Sequence, residues 1–195
     1  DPGQLSSMAA GPIVFAGTPF GHPANGTPAS LPRLAPEGLK TLHQRHFRPD
    51  NAILVLSGDI SPEQGLTLAR EAFGDWPRPS DPLPAQPQVT PAAARQVVVI
   101  DLPGAGQAAV RLVKPAISRR DEAYYPGIVA NSVLGGGYSA RLNQEIRIKR
   151  GLSYGAGSSL SARRTTGAFQ AQAQTKNESA PEVMDLIATE MARLA

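Results

Sequence analysis

The 195-residue sequence contains no cysteine, which excludes disulfide bonds, thiolate catalysis and cysteine-ligated zinc or iron–sulfur sites. It contains only three histidines, and no apolar run approaches the roughly 18 residues that a membrane-spanning helix requires. The formal net charge is only +3, with basic residues scattered among acidic ones. The interpretation as a nucleic-acid-binding module is therefore supported only by a small excess of basic residues. We expect neither a membrane span nor a nucleic-acid partner.

The sequence begins DPGQLSSMAAGP, without an initiator Met and without a basic and then apolar signal region. We therefore expect the native N-terminus to be missing, and the compartment stays open between the bacterial periplasm and the cytoplasm. The first thirty residues are rich in Gly, Pro, Ala and Ser with little periodicity, which predicts a long loop.

Two groups of regular elements flank a proline-rich segment. Before it, the pattern predicts a helix over residues 36–47, a buried strand at Ile53–Leu56, and a helix that begins with the capping box Ser61–Gln64. Residues 77–94 contain six prolines and no apolar period, as in a stiff linker. We predict the end of one domain at residues 1–76, a linker at 77–94 and the start of a second domain at 95–195.

The second half predicts an α+β fold in which helices cover an antiparallel sheet. Residues 95–104 and 108–117 are strand-like, and GAFQAQAQT alternates strictly between apolar and polar residues. Between them, YSARLNQEIRIKR predicts a helix with Leu142 and Ile146 on one side and Gly151 as a left-handed cap. A strand then follows from Leu152, and a last helix from Ser179 to Leu194.

Three candidate sites carry weak signals. His43 and His46 lie three residues apart on a helix, but no Glu accompanies them in a zinc motif, so structural or surface histidines are favoured. The triple glycine 135–137 matches neither a P-loop nor a dinucleotide fingerprint, and a tight helix-to-helix turn explains it better. Ser153 lies in GLSYG, which matches G-x-S-x-G, but this stretch follows a predicted helix and opens a predicted strand. A serine nucleophile needs a strand-to-helix turn, so a serine hydrolase has almost no support.

Arg147 and Tyr154 form the fourth candidate site. If the helix ends at Arg150 and the chain reverses through Gly151, both side chains can project into the same cleft. A fixed cation and a phenolic donor can hold a peptide carbonyl and stabilise an oxyanion. The alternative is a surface Arg and a Tyr whose hydroxyl only meets water. Spacing alone favours that alternative.

Two parts of the sequence resemble one protein family. SARLNQEIRIKRGLSYGAGS (residues 139–158) resembles the C-terminal half of the pitrilysin and mitochondrial processing peptidase family of zinc metallopeptidases, the inverzincins, which include insulin-degrading enzymes. HPANGTPASLPRL with LHQRHFRPDNAILVLSGDIS (22–34 and 42–61) resembles the end of that family's N-terminal half. The resemblance covers most of the chain.

The resemblance implies that the complete protein is a zinc metalloendopeptidase that hydrolyses peptides or unfolded proteins. Arg147 and Tyr154 fall on the family's catalytic Arg and Tyr. The family binds zinc through H-x-x-E-H and a downstream Glu, and this chain contains no H-x-x-E-H. The zinc half is therefore expected upstream, on a partner subunit, or lost in a non-catalytic scaffold. This chain alone is expected to bind no zinc or other cofactor and to be inactive.

The resemblance also implies two similar domains in succession, of which this chain holds the back of the first and the front of the second. Each piece alone leaves an open sheet edge, so we expect the pieces to complete one permuted domain or to be exchanged in a dimer. The specific expectation is that Ile53–Leu56 lies in the same sheet as strands from residues 97–174, within one chain or across a dimer.

Overall fold

The computed structural model describes residues 1–85 and 94–194. The chain forms two compact units, one of residues 1–25 with 88–195 and one of residues 26–87. The predicted linker falls partly on residues 86–93, which lie outside the described residues, and the predicted domain limits stay a prediction. Within the described ranges, no helix is both long and apolar enough to cross a membrane.

The regular elements include six α-helices, three strands and one π-helical turn. In chain order they are α1 (Pro2–Val14), α2 (Pro36–His46), α3 (Pro62–Phe73), β1 (Gln107–Ala116), α4 (Tyr124–Leu134), α5 (Arg141–Asn143), the π-helical turn (Gln144–Ile148), β2 (Ser153–Ala162), β3 (Gly167–Lys176) and α6 (Ala180–Ala192).

The three strands form one antiparallel sheet in the order β1-β3-β2. β3 is central: Gly167 pairs with Ala116 of β1 on one side and with Ala162 of β2 on the other. Helices α4, α5 and α6 contact this sheet. The predicted α+β class, an antiparallel sheet covered by helices, is confirmed.

The main core lies between one face of the sheet and the helices. Ala171 and Ala173 of β3 are buried there, whereas Gln172 between them is exposed, so the predicted alternation is confirmed. Fully burying a Leu, Ile or Val side chain stabilises a fold by about 1.5–3 kcal/mol. The buried members are Leu134, Leu142, Ile146, Ala171, Ala173, Val183 and Ile187.

Helix α1 corrects the prediction of a loop over the first thirty residues. The Asp1 carboxylate accepts a hydrogen bond from the Gln4 backbone N–H at 2.8 Å, and Pro2 occupies the first turn, where its missing N–H costs nothing. Val14 and Phe15 are buried against Val113 and Ala168, on the opposite face of the sheet from the main core. Pro12 inside the helix and the low apolar periodicity hide this element in the sequence.

The unit of residues 26–87 contains α2 and α3. The Ser61 hydroxyl accepts from the Gln64 N–H, and the Gln64 side chain accepts from the Ser61 N–H, so the predicted capping box is confirmed. Arg48 is buried and forms a two-point ion pair with Asp50, with N–O distances of 2.7 and 2.8 Å. Its guanidinium also donates to the Asp81 backbone carbonyl at 2.7 Å.

The prediction of a buried strand at Ile53–Leu56 is wrong. These residues belong to no strand of the described chain, and Ile53 is 91% exposed. The strand-like residues 97–100 are also outside the sheet, with Val97 82% exposed. A strand needs a neighbour for its backbone hydrogen bonds, and no described segment pairs with either stretch. The expectation that Ile53–Leu56 joins the sheet within one chain is therefore also wrong, whereas the exchange of these pieces in a dimer stays a prediction.

Candidate functional site

Arg147 lies in the π-helical turn that continues α5. Ile146, the preceding residue, is fully buried in the main core, which fixes the orientation of the turn. Gly151 adopts a φ of +64°, in the left-handed region that favours glycine, and the Leu152 N–H donates to the Ile146 carbonyl at 2.9 Å. The predicted reversal at Gly151 is confirmed, and the chain leads directly into β2. The π-helical geometry, which often occurs at functional sites, was not predicted.

The structure brings Arg147 and Tyr154 together. The guanidinium carbon of Arg147 lies 4.8 Å from the centre of the Tyr154 ring, a cation–π distance. Arg147 is half-buried, whereas Tyr154 is 90% exposed. The Tyr154 hydroxyl has no hydrogen-bond partner in the described part of the chain. The pair therefore presents a phenolic donor to solvent beside a held cation.

The neighbouring charges leave Arg147 available. Glu145, two residues earlier, forms ion pairs with Lys149 and with Arg150, the latter at 2.6 Å. The hydrogen bonds from Lys149 and Arg150 lower the pKa of the Glu145 carboxyl below its ordinary value. Glu145 is thus a carboxylate already neutralised by two other cations. Within residues 1–85 and 94–194, Arg147 forms no ion pair, so its N–H donors can serve an outside acceptor.

Asn143 connects the two sides of the site. Its side chain is buried, and its amide donates to the Tyr138 backbone carbonyl at 2.7 Å. Its amide oxygen accepts from the Ala156 backbone N–H at 3.4 Å, a long hydrogen bond. Ala156 lies two residues after Tyr154 on β2. The buried side chain of Asn143 therefore connects the turn before α5 to the strand that carries Tyr154.

Tyr138 was missed in the sequence interpretation. Its ring centre lies 5.1 Å from the guanidinium carbon of Arg147, so Arg147 has two aromatic neighbours. The signal that could have identified it is an aromatic residue placed directly after the triple glycine. Its nine-residue separation from Arg147 indicates contact only once the intervening turn is known.

The triple glycine forms a turn before α5, as predicted, but Gly135 has an additional reason to be glycine. Its carbonyl accepts from the Ser158 N–H of β2 at 2.9 Å. A Cβ at Gly135 would lie 2.3 Å from the Ser158 nitrogen, far inside contact distance, whereas a Cβ at Gly137 would meet no atom within 4 Å. The close approach of α4 to β2 therefore requires glycine at position 135.

The described residues do not fit a zinc ion. His43 stacks on Phe47, with ring centres 4.9 Å apart, as a structural histidine would. No group of three or more His, Asp or Glu side chains in residues 1–85 and 94–194 is arranged to hold a metal. A zinc site of the kind that the resemblance implies would need ligands from outside these residues.

Comparisons with known proteins agree on one family. Residues 33–195 match the family model described as peptidase M16 inactive domain. An uncharacterised zinc protease of Streptomyces coelicolor is 29% identical over 201 residues, covering 100% of this chain and 43% of that protein. A non-peptidase homologue of Helicobacter pylori is 28% identical, covering 72% of this chain and 32% of that protein.

The solved structure of a peptidase M16 inactive domain from Pseudomonas fluorescens superimposes on this chain with a TM-score of 0.89 at 28% identity. It covers 99% of this chain, which in turn covers 46% of that structure. The chain therefore spans less than half the length of these relatives.

Proposed function

The chain belongs to the peptidase M16 family, and on that premise we propose that it is part of a zinc-dependent metalloendopeptidase. It would supply the substrate and transition-state contacts of peptide-bond hydrolysis, while the zinc ligands lie outside this chain. The observation that carries the proposal is the placement of the Arg147 guanidinium beside the exposed Tyr154 phenol. The names of relatives as zinc proteases support it.

Each member of the pair has its own role in this proposal. The Tyr154 hydroxyl donates a hydrogen bond to the oxygen of the scissile carbonyl, which gains negative charge in the transition state. Arg147 orients the Tyr154 ring through the cation–π contact and offers its free N–H donors to a neighbouring substrate carbonyl. The substrate is a peptide or an unfolded protein, because this recognition addresses backbone groups.

The partner implied by this proposal is a zinc-binding half with an H-x-x-E-H motif. It lies either in another part of the same protein or on a second subunit, and in the second case the assembly is a dimer of this chain with that subunit. Zinc is the cofactor of the complete enzyme, and the residues described here provide no ligand set for it.

A second candidate function is a non-catalytic scaffold or partner subunit of the same fold. The family description, an inactive domain, and the non-peptidase homologue among the relatives favour it. The two functions differ in one measurable property. Peptide hydrolysis by an assembly that contains this chain depends on Tyr154 only if the chain is catalytic.

The test uses the complete protein, or its complex with a zinc-binding subunit, and a quenched fluorescent peptide. Tyr154→Phe should lower kcat by about 100-fold or more, by analogy with the loss of one oxyanion donor, while zinc content stays unchanged. Arg147→Lys should also lower turnover, because a point charge does not reproduce the guanidinium fork. If both variants keep near wild-type turnover, the pair is not catalytic. If no assembly turns over peptide, the scaffold is the better interpretation.

A further inference from the structure

Arg147 has a second aromatic neighbour that the proposed chemistry does not use. The Tyr138 ring centre lies 5.1 Å from the guanidinium carbon, close to the 4.8 Å of the Tyr154 ring. The Tyr138 hydroxyl has no hydrogen-bond partner in the described part of the chain. The feature of Tyr138 that meets Arg147 is therefore the ring, whose π-electrons attract a cation at this distance.

The backbone of Tyr138 is held where this contact requires it. The buried Asn143 amide donates to the Tyr138 carbonyl at 2.7 Å, and the same side chain accepts from Ala156 of β2. The turn that carries Tyr138 and the strand that carries Tyr154 are thus tied to one side chain. This arrangement keeps both rings near Arg147.

Competing attractions on Arg147 are weak. The nearby carboxylate of Glu145 is engaged by Lys149 and Arg150, so it does not draw the guanidinium away from the rings. The planar guanidinium can lie against aromatic rings while its N–H groups remain free at its edge. Two rings therefore attract the Arg147 head group, and the neighbouring carboxylate does not compete with them.

We propose that Tyr138 is a positioning residue, which uses its ring to hold the Arg147 guanidinium beside Tyr154 and ready for the substrate. The effect on catalysis rests on the function proposed above, whereas the effect on the Arg147 side chain does not. Tyr138 needs only its ring, and Tyr154 needs its hydroxyl. The two tyrosines should therefore respond oppositely to replacement by phenylalanine.

The kinetic test compares Tyr138→Leu and Tyr138→Phe in the complete protein or complex. Tyr138→Leu should lower kcat/KM about two- to five-fold through both kcat and KM, because Arg147 serves both Tyr154 and a substrate carbonyl. This is the factor that a cation–π contact of roughly 0.5–1 kcal/mol represents. Tyr138→Phe should retain wild-type kcat, in contrast to Tyr154→Phe. Tyr125→Leu is the matched control, since Tyr125 and Tyr138 are both 66% exposed and Tyr125 lies beside a different cation, Arg119.

A second readout needs no activity. In the complete protein labelled with 13C-arginine, 13C relaxation at Cδ of Arg147 reports how firmly that side chain is held. Tyr138→Leu should increase the mobility of the Arg147 side chain and leave that of Arg119 unchanged, whereas Tyr138→Phe should change neither appreciably. If no assembly is active but this pattern holds, Tyr138 positions Arg147 and the peptidase proposal alone fails.

Two results would overturn the inference. An equal loss of kcat in Tyr138→Phe and Tyr138→Leu would assign the effect to the hydroxyl. An Arg147 side chain that is no more mobile in Tyr138→Leu than in wild type would show that the ring does not hold the guanidinium, whatever the kinetics.

Discussion

Replacement of Asn143 should destabilise the fold by an amount that the structure allows to be estimated. Asn143→Ala removes the 2.7 Å hydrogen bond to the Tyr138 carbonyl and the 3.4 Å hydrogen bond from the Ala156 N–H. The 2.7 Å hydrogen bond contributes about 1 kcal/mol net and the long 3.4 Å one adds little, while the unpaired, partly buried groups with a small cavity add roughly 1–2 kcal/mol. We expect the free energy of unfolding to fall by about 2–3 kcal/mol.

Asn143→Asp changes the hydrogen bonds at this position while it leaves the packing nearly unchanged. The new carboxyl can still accept from Ala156, but when ionised it cannot donate to the Tyr138 carbonyl, and it is buried. Burial and that carbonyl raise the pKa of the introduced carboxyl above its ordinary value. The native state then binds the proton more tightly than the unfolded state, so this contribution to stability falls as pH rises through the folded pKa. The deficit against wild type should therefore be larger at pH 7 than near pH 4.

The assay is urea denaturation followed by circular dichroism, with wild type measured at each pH. Asn177→Ala is the matched control, because the Asn177 amide also donates to a backbone carbonyl, that of Ala105, at 2.9 Å but on the exposed surface. It should change stability by no more than about 0.5 kcal/mol. An Asn143→Ala variant as stable as this control, or an Asn143→Asp deficit that does not change with pH, would refute the reasoning.

Two further predictions concern backbone packing and a buried ion pair. Gly135→Ala should lower stability by roughly 1–3 kcal/mol or more, because its Cβ would lie 2.3 Å from the Ser158 nitrogen, whereas Gly137→Ala should be tolerated; equal thermal midpoints would contradict this. Arg48→Met should destabilise residues 26–87 more at pH 7 than at pH 3. The hydrogen bond from Arg48 lowers the pKa of Asp50 in the folded state. The stabilisation by this ion pair is therefore present above the ordinary pKa of Asp and is lost as pH falls through the folded-state pKa. Urea midpoints that do not depend on pH would contradict this prediction.

Local signals predicted those elements whose partners lie nearby in the sequence. The Ser61–Gln64 capping box and the alternation of β3 describe interactions within a few residues, and both are confirmed. Gly151 is similar, because a left-handed φ is a property of one residue and its helix end. These features need no knowledge of the rest of the fold.

The two wrong predictions concern segments whose structure depends on distant parts of the chain. Ile53–Leu56 has the composition of a buried strand, but a strand is defined by a neighbour, and no described segment provides one. Helix α1 has the composition of a loop, but β1 provides it with an apolar surface that buries Val14 and Phe15. In both cases tertiary contacts, rather than the composition of the segment, decide the structure.

The segment that packs on the sheet from outside residues 88–195 is α1, and not the expected strand Ile53–Leu56. Residues 1–25 pack with residues 88–195 in one unit, through α1 on the face of the sheet opposite to the main core. The observed contact is therefore a helix on a face of the sheet, whereas the expected contact was a strand at its edge. This difference was not predictable, because the sequence of α1 contains Pro12 and few apolar residues.

The candidate site shows the same division between local and tertiary information. Arg147 and Tyr154 could be named from the sequence, but their seven-residue separation says nothing about contact until the turn between them is known. An α-helix rotates about 100° per residue, so a change of one residue in the register of the turn would point Arg147 in a different direction. The π-helical turn and buried Ile146 set that register, and Gly151 returns the chain to β2. The contact between Arg147 and Tyr154 is therefore a property of the packed core beneath it.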